Sequence, residues 1–336
     1  MTKALITGIS GMVGSHLADF LLENTNWDVY GMLRWRSPLD NINHLIPRIN
    51  NCDRLSMVYA DLRDSESLDD AISKVRPDYV FHLAAQSYPQ TSFTSPIDTY
   101  DTNILGTERL LHKIRLYCPD AVVHVCSSSE VFGRVASDKL PINEECNFQP
   151  ASPYAISKVG TDLIGRHYAE AYGMKVMVTR MFTHTGPRRG DVFAESSFAK
   201  QIAMIEAGKL GGTIEVGNLD SMRTWTDVRD AVEAYYLLVT ANPIPGEVYN
   251  IGGVFSTSVG EMLHSLIHLS DLKPSEVKIC VKPERLRPID ADLQIPDVKK
   301  FIAHTGWTPK IPFDQTMFDL LNYWREKILQ QNFLKR

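Results

Sequence analysis

Tyr154 and Lys158 follow Pro153 at a spacing of four residues, at the start of a helical pattern whose amphipathic stretch covers Ala155–Ala171. Side chains at i and i+4 share one helical face. A phenol titrating near 10 is a poor base at neutral pH, and a nearby ammonium favours its phenolate. The pair therefore suits proton exchange with an alcohol or carbonyl oxygen. A hydroxyl is needed to orient that oxygen, and Ser127-Ser128-Ser129 supplies one at the end of a predicted strand, Val122–Cys126. A bare Tyr-x-x-x-Lys is common on solvated helix faces, so its meaning rests on its surroundings.

Upstream, Gly8, Gly11 and Gly14 lie between a predicted strand, Ala4–Thr7, and a helical pattern over His16–Glu23. Gly8 permits a tight turn, Gly11 lets a pyrophosphate approach the backbone, and Gly14 allows close helix–strand packing. Thr7, Met12 and Val13 complete the cradle, and the helix N-terminus offers N–H groups to phosphate. This is the context of a dinucleotide site, and Lys158 would then also grip the nicotinamide ribose. The second strand ends in Leu33-Arg34-Trp35-Arg36 with no carboxylate. Arg34 and Arg36 favour a ribose 2′-phosphate, hence NADP with NAD as the alternative. Asp61, followed by Leu62, offers an acceptor for an adenine amino group, or else a cap for the next helix. Leu83-Ala84-Ala85 provides small side chains where a cofactor must lie close. His184 is either a nicotinamide contact or a structural histidine.

These residues need a scaffold that brings strand ends together. Further strand candidates are Asp28–Leu33, Ser56–Tyr59, Tyr79–Leu83 and Val176–Thr179, separated by helical patterns at Ser67–Val75, Thr107–Leu116 and Phe198–Ala207. Such alternation predicts an α/β, Rossmann-type doubly wound parallel sheet with its ligand at the strand carboxyl ends. After Gly208, strands at Thr213–Val216, Val248–Ile251 and Val277–Val281 mix with helices at Val228–Thr240, Val259–Leu269 and Gln315–Leu329. Residues 1–182 are thus expected to form the dinucleotide domain, and 183–336 mainly a smaller mixed α/β substrate lobe, with some elements returning to the first domain.

The 336 residues are 44% apolar with a net charge of −5, so no global basic field attracts nucleic acid or anionic membrane. The five cysteines are scattered with no C-x-x-C pair, arguing against disulfides or a zinc site. The N-terminal apolar run is short and broken by Gly8, and no stretch has membrane-spanning length. A cytoplasmic location is the expectation.

Taken together, Thr7-Gly-x-x-Gly-x-x-Gly14, Ala84-Ala85-Gln86-Ser87, Ser128-x-Glu130 and Tyr154-x-x-x-Lys158 resemble the extended short-chain dehydrogenases that act on nucleotide sugars. The chain is most similar there to GDP-mannose 4,6-dehydratases and GDP-4-keto-6-deoxymannose reductases. The likeness runs from Lys3 to about Trp324 and includes Gly186-Pro-Arg-Arg-Gly190, Gly217-Asn-Leu-Asp-Ser-Met-Arg223 and Leu286-Arg-Pro288. It implies Ser128, Tyr154 and Lys158 as a catalytic triad and Glu130 as an acid/base carboxylate. It places the sugar at Ser87 and the nucleotide diphosphate at Lys200, Arg223 and Arg287, with Thr183 and Asp290 also at the substrate. Arg188-Arg189 falls in a loop that supports tetramer and cofactor contacts, and a homodimer or homotetramer is implied. The implied reaction oxidises the sugar at C4, removes the C5 proton at Glu130, eliminates water and returns hydride to C6. Ser128 in place of threonine, Phe132 in place of tyrosine and Thr183 in place of asparagine depart from the dehydratase pattern. The C-terminal third looks closer to the reductases, so a 4-keto-sugar reductase or C4 dehydrogenase/epimerase stands as the alternative, and a non-catalytic coenzyme-binding sensor as a remote one.

Overall fold

The computed structural model describes residues 1–289 and 291–331; Asp290, assigned above to the substrate, lies outside the described residues. Strands run in chain order as β1 (Lys3–Thr7), β2 (Asp28–Leu33), β3 (Leu55–Tyr59), β4 (Tyr79–His82), β5 (Val122–Cys126), β6 (Lys175–Met181), β7 (His184–Thr185), β8 (Thr213–Val216), β9 (Met222–Asp227), β10 (Val248–Ile251), β11 (Phe255–Ser258), β12 (Lys278–Val281) and β13 (Leu293–Gln294). Seven of them pair in parallel in the order β10-β6-β5-β4-β1-β2-β3. The order reverses between β1 and β4, which opens a crevice at their carboxyl ends.

The inner strands are short apolar runs because both faces of the sheet are covered. On one face Leu17 and Leu21 of helix Met12–Asn24 pack with Tyr235 and Leu238 of helix Val228–Thr240. On the other, Leu68, Ile72, Leu110, Ile114 and Tyr168 come from helices Ser65–Val75, Gly106–Tyr117 and Pro153–Tyr172. The fold is therefore α/β and doubly wound. Val248–Ile251 does not stay in the smaller lobe: it pairs with β6 at the edge of the large sheet.

The remaining lobe packs helices Ala194–Glu206, Val259–His268 and Phe313–Leu329 around Phe198, Ile202, Met262, Leu266, Met317 and Leu321. Its strands form the order β11-β9-β13, with β7 also on β9, and a β12-β8 pair. Short helices at Pro89–Thr94 and Pro96–Tyr100 and a π-turn at Asp101–Leu105 precede Gly106–Tyr117. Among the described residues, no helix is long and apolar enough to cross a membrane.

Candidate active site

The glycine turn is built from three different constraints. Gly8 has φ +74°, and a Cβ there would lie 2.9 Å from Ala84 Cα. A Cβ on Gly14 would meet the Gly8 carbonyl oxygen at 2.4 Å. Gly11 is looser: its Cβ would stand 3.3 Å from the same oxygen, with ordinary φ. Gly11 is also the N-cap of helix Met12–Asn24, with no side-chain cap and no acid in the first turn. The helix thus presents uncapped N–H groups and its positive end to the cleft, where Gly8, Gly11, Met12, Val13 and Gly14 all form the wall. These features fit a dinucleotide pyrophosphate.

Thr7 sits behind that wall. Its Oγ1 accepts the N–H groups of Leu83 and Ala84, each at 3.0 Å, and donates to His82 Nδ1 at 3.0 Å. His82 Nε2 then donates to Thr107 Oγ1 at 3.0 Å, which donates to the Asn103 carbonyl at 2.6 Å. Burial pulls the His82 pKa down to about 3, so the ring is neutral and the relay fixes its tautomer. This ties the ends of β1 and β4 together. Ala84 packs under Gly8, while Leu83 and Ala85 reach the cleft.

The groups expected at the adenosine end lie beyond the cleft wall. Asp61 accepts from Arg63 Nε at 3.2 Å and from a second guanidinium nitrogen at 3.0 Å, and this bonding holds its carboxyl below the usual range. Leu62 is a core side chain. Arg34 and Arg36 flank Trp35, which is 72% exposed and lies edge-on to Tyr59.

One cavity of about 1060 Å³ joins the glycine turn to the second lobe. Ser152 caps helix Pro153–Tyr172, accepting from Ala155 N at 3.0 Å, and the Tyr154 N–H donates to Ser92 at 3.0 Å. The Tyr154 hydroxyl is hydrogen-bonded to Ser128, whose Oγ also accepts from Glu130 N at 3.2 Å to start the turn Ser129–Phe132. Burial nevertheless pushes the phenol well above its ordinary pKa, and burial lowers that of Lys158. The ammonium was expected to favour the phenolate; instead Lys158 Nζ donates to the Cys126 carbonyl at 2.7 Å, 6.0 Å from the Tyr154 ring centre.

Glu130 faces the cavity, with Oε1 3.5 Å from a guanidinium nitrogen of Arg287. Behind its turn, Phe132 stacks on Phe182, and Arg180 crosses the Phe132 ring while paired with buried Asp162 at 2.8 Å. Ser87, Thr183, His184, Arg223 and Arg287 also line the cavity. His184 Nδ1 lies 3.1 Å from the Phe182 carbonyl, and burial, helped by Arg189, lowers its pKa to about 4. Arg223 donates to the Ala291 carbonyl at 2.6 Å. Lys200 lies behind the wall: its Nζ pairs with Asp191 at 2.7 Å beneath the Trp324 ring. Arg188 pairs with Asp19 at 2.7 Å, and Arg189 with Glu195 at 2.9 Å over the face of Phe193.

Several residues here carried no sequence signal. Buried Asn103 accepts from Gln86 N at 2.8 Å and donates to Gln86 O at 3.0 Å and Ser157 Oγ at 2.8 Å, fixing the segment before Ser87 against the Tyr154 helix. Pro38, Tyr88 and Phe193 join the wall from loops, and Asp40 and Asn41 from the 3-10 helix Asp40–Leu45. Among the described residues, no three His, Cys, Asp or Glu side chains cluster to hold a metal ion.

Residues 5–320 match the family model described as GDP-mannose 4,6 dehydratase. The chain is 32% identical to a GDP-mannose 4,6 dehydratase of Drosophila melanogaster, over 95% of this chain and 85% of that one. It is 31% identical to a GDP-6-deoxy-D-mannose reductase of Pseudomonas aeruginosa, over 98% and 100%. The structure of RMD from Pseudomonas aeruginosa complexed with NADPH superposes with a TM-score of 0.82 at 29% identity, covering 97% of this chain and 100% of that one. DesIV, a dTDP-glucose 4,6-dehydratase from Streptomyces venezuelae solved with NAD, gives 0.84 at 26%, covering 98% of each chain.

Proposed function

The chain belongs to the GDP-mannose 4,6-dehydratase family, and from that premise we propose that it is a nucleotide-sugar 4,6-dehydratase acting on GDP-mannose or a related GDP-sugar. The observation that carries the reading is the presence of Tyr154, Ser128 and Glu130 in one cavity with Arg223 and Arg287. A nicotinamide coenzyme bound at the glycine turn supplies a hydride acceptor and donor. NADP is favoured by Arg34 and Arg36 at the tip of β2, and Lys158 holds the nicotinamide ribose.

The chain's own residues do the rest. Ser128 orients the sugar C4 oxygen, and Tyr154, acting as its phenolate, takes the proton of the C4 hydroxyl as the C4 hydride leaves. Once C4 is a ketone, the C5 proton is acidified, and Glu130 removes it. The 6-hydroxyl then leaves as water, carrying the proton held on Glu130. The hydride taken from C4 would return to C6, and C5 would regain a proton from solvent as Tyr154 gives up the one it took, so that the sum is loss of one water. Arg223 and Arg287 bind the diphosphate, with Ser87 and Thr183 at the sugar. The free cysteines suit a reducing cytoplasm, and the apolar face of helix Pro153–Tyr172 suits a homo-oligomer.

Incubation with GDP-mannose, followed by NMR, tests this. The expected product is a 4-keto-6-deoxy sugar with no net change in coenzyme oxidation state. A 4-keto product that keeps its 6-hydroxyl overturns the dehydratase reading. The likeness to the reductase along its full length favours one second reading, a 4-keto-sugar reductase, which predicts stoichiometric consumption of reduced coenzyme. In either case Tyr154→Phe should bind coenzyme normally and lose about 100-fold or more in rate.

A further inference from the structure

Three segments that line the dinucleotide end of the cavity are fastened to one another by side chains that touch no reacting atom. The first is the glycine turn with helix Met12–Asn24, the second the segment Pro38–Leu45, and the third the strap Gly186–Arg189 crossing from the second lobe. The Asn41 side-chain amide donates both to the Ser10 carbonyl in the glycine turn, at 3.1 Å, and to the Arg188 carbonyl in the strap, at 3.4 Å. The Asp19 carboxylate, on the helix, accepts from His44 at 2.7 Å through one oxygen and from Arg188 at 2.7 Å through the other. One turn earlier on the same helical face, His16 Nε2 donates to the Pro187 carbonyl at 3.1 Å. Arg188 makes these contacts from a left-handed backbone, φ +68°, which costs a non-glycine residue free energy and persists only where surrounding contacts enforce it. Asn41, Asp40, Pro38 and Arg188 form the wall of the cavity together with Gly11 and Met12.

We propose that Asn41, Asp19 and Arg188 form a clasp that retains the dinucleotide, so that the coenzyme is released only when the strap lifts from the Met12–Asn24 helix. This rests on the nicotinamide-dependent reading of the site but not on the choice of sugar. A pyrophosphate held on the glycine turn would lie against the wall that Gly11, Asn41 and Arg188 share, beside the Asn41 bridge between Ser10 and Arg188. Leaving requires the Asp19–Arg188 pair and the Asn41 bridge to break together. Charge-assisted bonds with both partners largely shielded from solvent resist this more than neutral ones. The consequence is chemical as well as mechanical. A reaction that returns its hydride within each turnover needs no coenzyme exchange, whereas a net reductase must open the clasp every cycle.

The test is the release rate of coenzyme from the purified holoprotein, measured by chasing isotopically labelled NADP with an excess of unlabelled NADP. Asp19→Asn and Asn41→Ala should each speed release by about tenfold or more, and together more than either alone, with unfolding midpoint and GDP-sugar affinity unchanged. Arg188→Lys, which keeps a charge for Asp19, should fall between them and the parent. Release rates equal to the parent's in both Asp19→Asn and Asn41→Ala overturn the clasp, even if the product assay upholds dehydration. Conversely, accelerated release uphold the clasp even if the product proves to be that of a reductase. Should Asp19→Asn fold poorly, Asn41→Ala carries the test alone, because its side chain bridges two carbonyls and holds no core.

Discussion

The Glu130 carboxylate and the Arg287 guanidinium stand 3.5 Å apart across the cavity, one on the turn after β5 and the other on the second lobe. Arg287 is also a residue proposed to bind the substrate diphosphate. If Arg287 takes the diphosphate, the two roles compete for one guanidinium.

Glu130→Gln keeps the size of the side chain and its turn but cannot accept the C5 proton. The variant should oxidise C4 and stop there, lowering water elimination by about 100-fold to 10,000-fold. Incorporation of solvent deuterium at C5, followed by NMR, reads the step directly. Undiminished exchange at C5 in this variant would remove Glu130 from the role of base.

The glycine turn separates stability from binding. Gly14→Ala forces a Cβ to within 2.4 Å of the Gly8 carbonyl and 2.7 Å of Ile9 Cα, both backbone atoms that cannot swing aside. It should cost about 2 kcal/mol or more in unfolding free energy, the range of overpacked sites. Gly11→Ala meets only one backbone oxygen, at 3.3 Å, and should fold within about 1 kcal/mol of the parent while binding coenzyme at least about tenfold more weakly. Denaturant midpoints and coenzyme titrations on the two variants should therefore move in opposite proportion.

Much of this turn was legible in the sequence because its requirements are local. β1, β2 and β5 likewise declare themselves as short apolar runs, since both faces of the sheet are covered. Met222–Asp227 does not: Arg223, Thr224 and Thr226 give it polar alternation, and it becomes a strand by pairing with Phe255–Ser258 and Leu293–Gln294. Val248–Ile251 reads as a strand, but its partner in β6 is set by the chain's return, which no local pattern encodes. Tyr154, Lys158 and Ser128 could be singled out by type and spacing. Lys200 is singled out only through the family resemblance, and Asp191, which holds its ammonium, is a property of the fold. Asn103 ends the polar run Asp101-Thr102-Asn103 and is not set apart by type, and its bonds to Gln86 and Ser157 span 17 and 54 positions.

Four histidines should make the fold acid-sensitive. Burial lowers His16 and His184 to about 4 and His82 and His124 to about 3, against 6.5 for an unperturbed ring. Their folded values lie below the unfolded one, so the unfolded chain binds more protons once the pH drops beneath 6.5. The stability they contribute is complete above that point and is lost as pH falls toward the folded values. Between pH 6.5 and pH 5 each histidine should forfeit up to about 2 kcal/mol. Unfolding midpoints recorded from about pH 8 to about pH 5 should hold nearly flat and then decline steeply. A flat curve to pH 5 would mean that these rings are charged in the folded state.

An apolar face runs across neighbouring helices on the side away from the cavity. Ile156 and Leu163 of helix Pro153–Tyr172 are 45% and 48% exposed, and Leu105 of the adjacent π-turn is 49% exposed. Ile156 and Leu163 lie seven residues apart, two helical turns, and so form one stripe. Neither side chain belongs to the protein's own core, while the residues between them, Ser157, Lys158 and Thr161, are buried on the inner face. If this stripe joins two copies of the chain, Ile156→Lys with Leu163→Lys should halve the mass measured by light scattering. The unfolding free energy of the isolated subunit should shift by no more than about 0.5 kcal/mol per site, because exposed positions tolerate substitution. An unchanged mass would move the interface elsewhere. A loss of activity alongside dissociation would show that packing the outer face of this helix also steadies Tyr154 and Lys158 on its inner one.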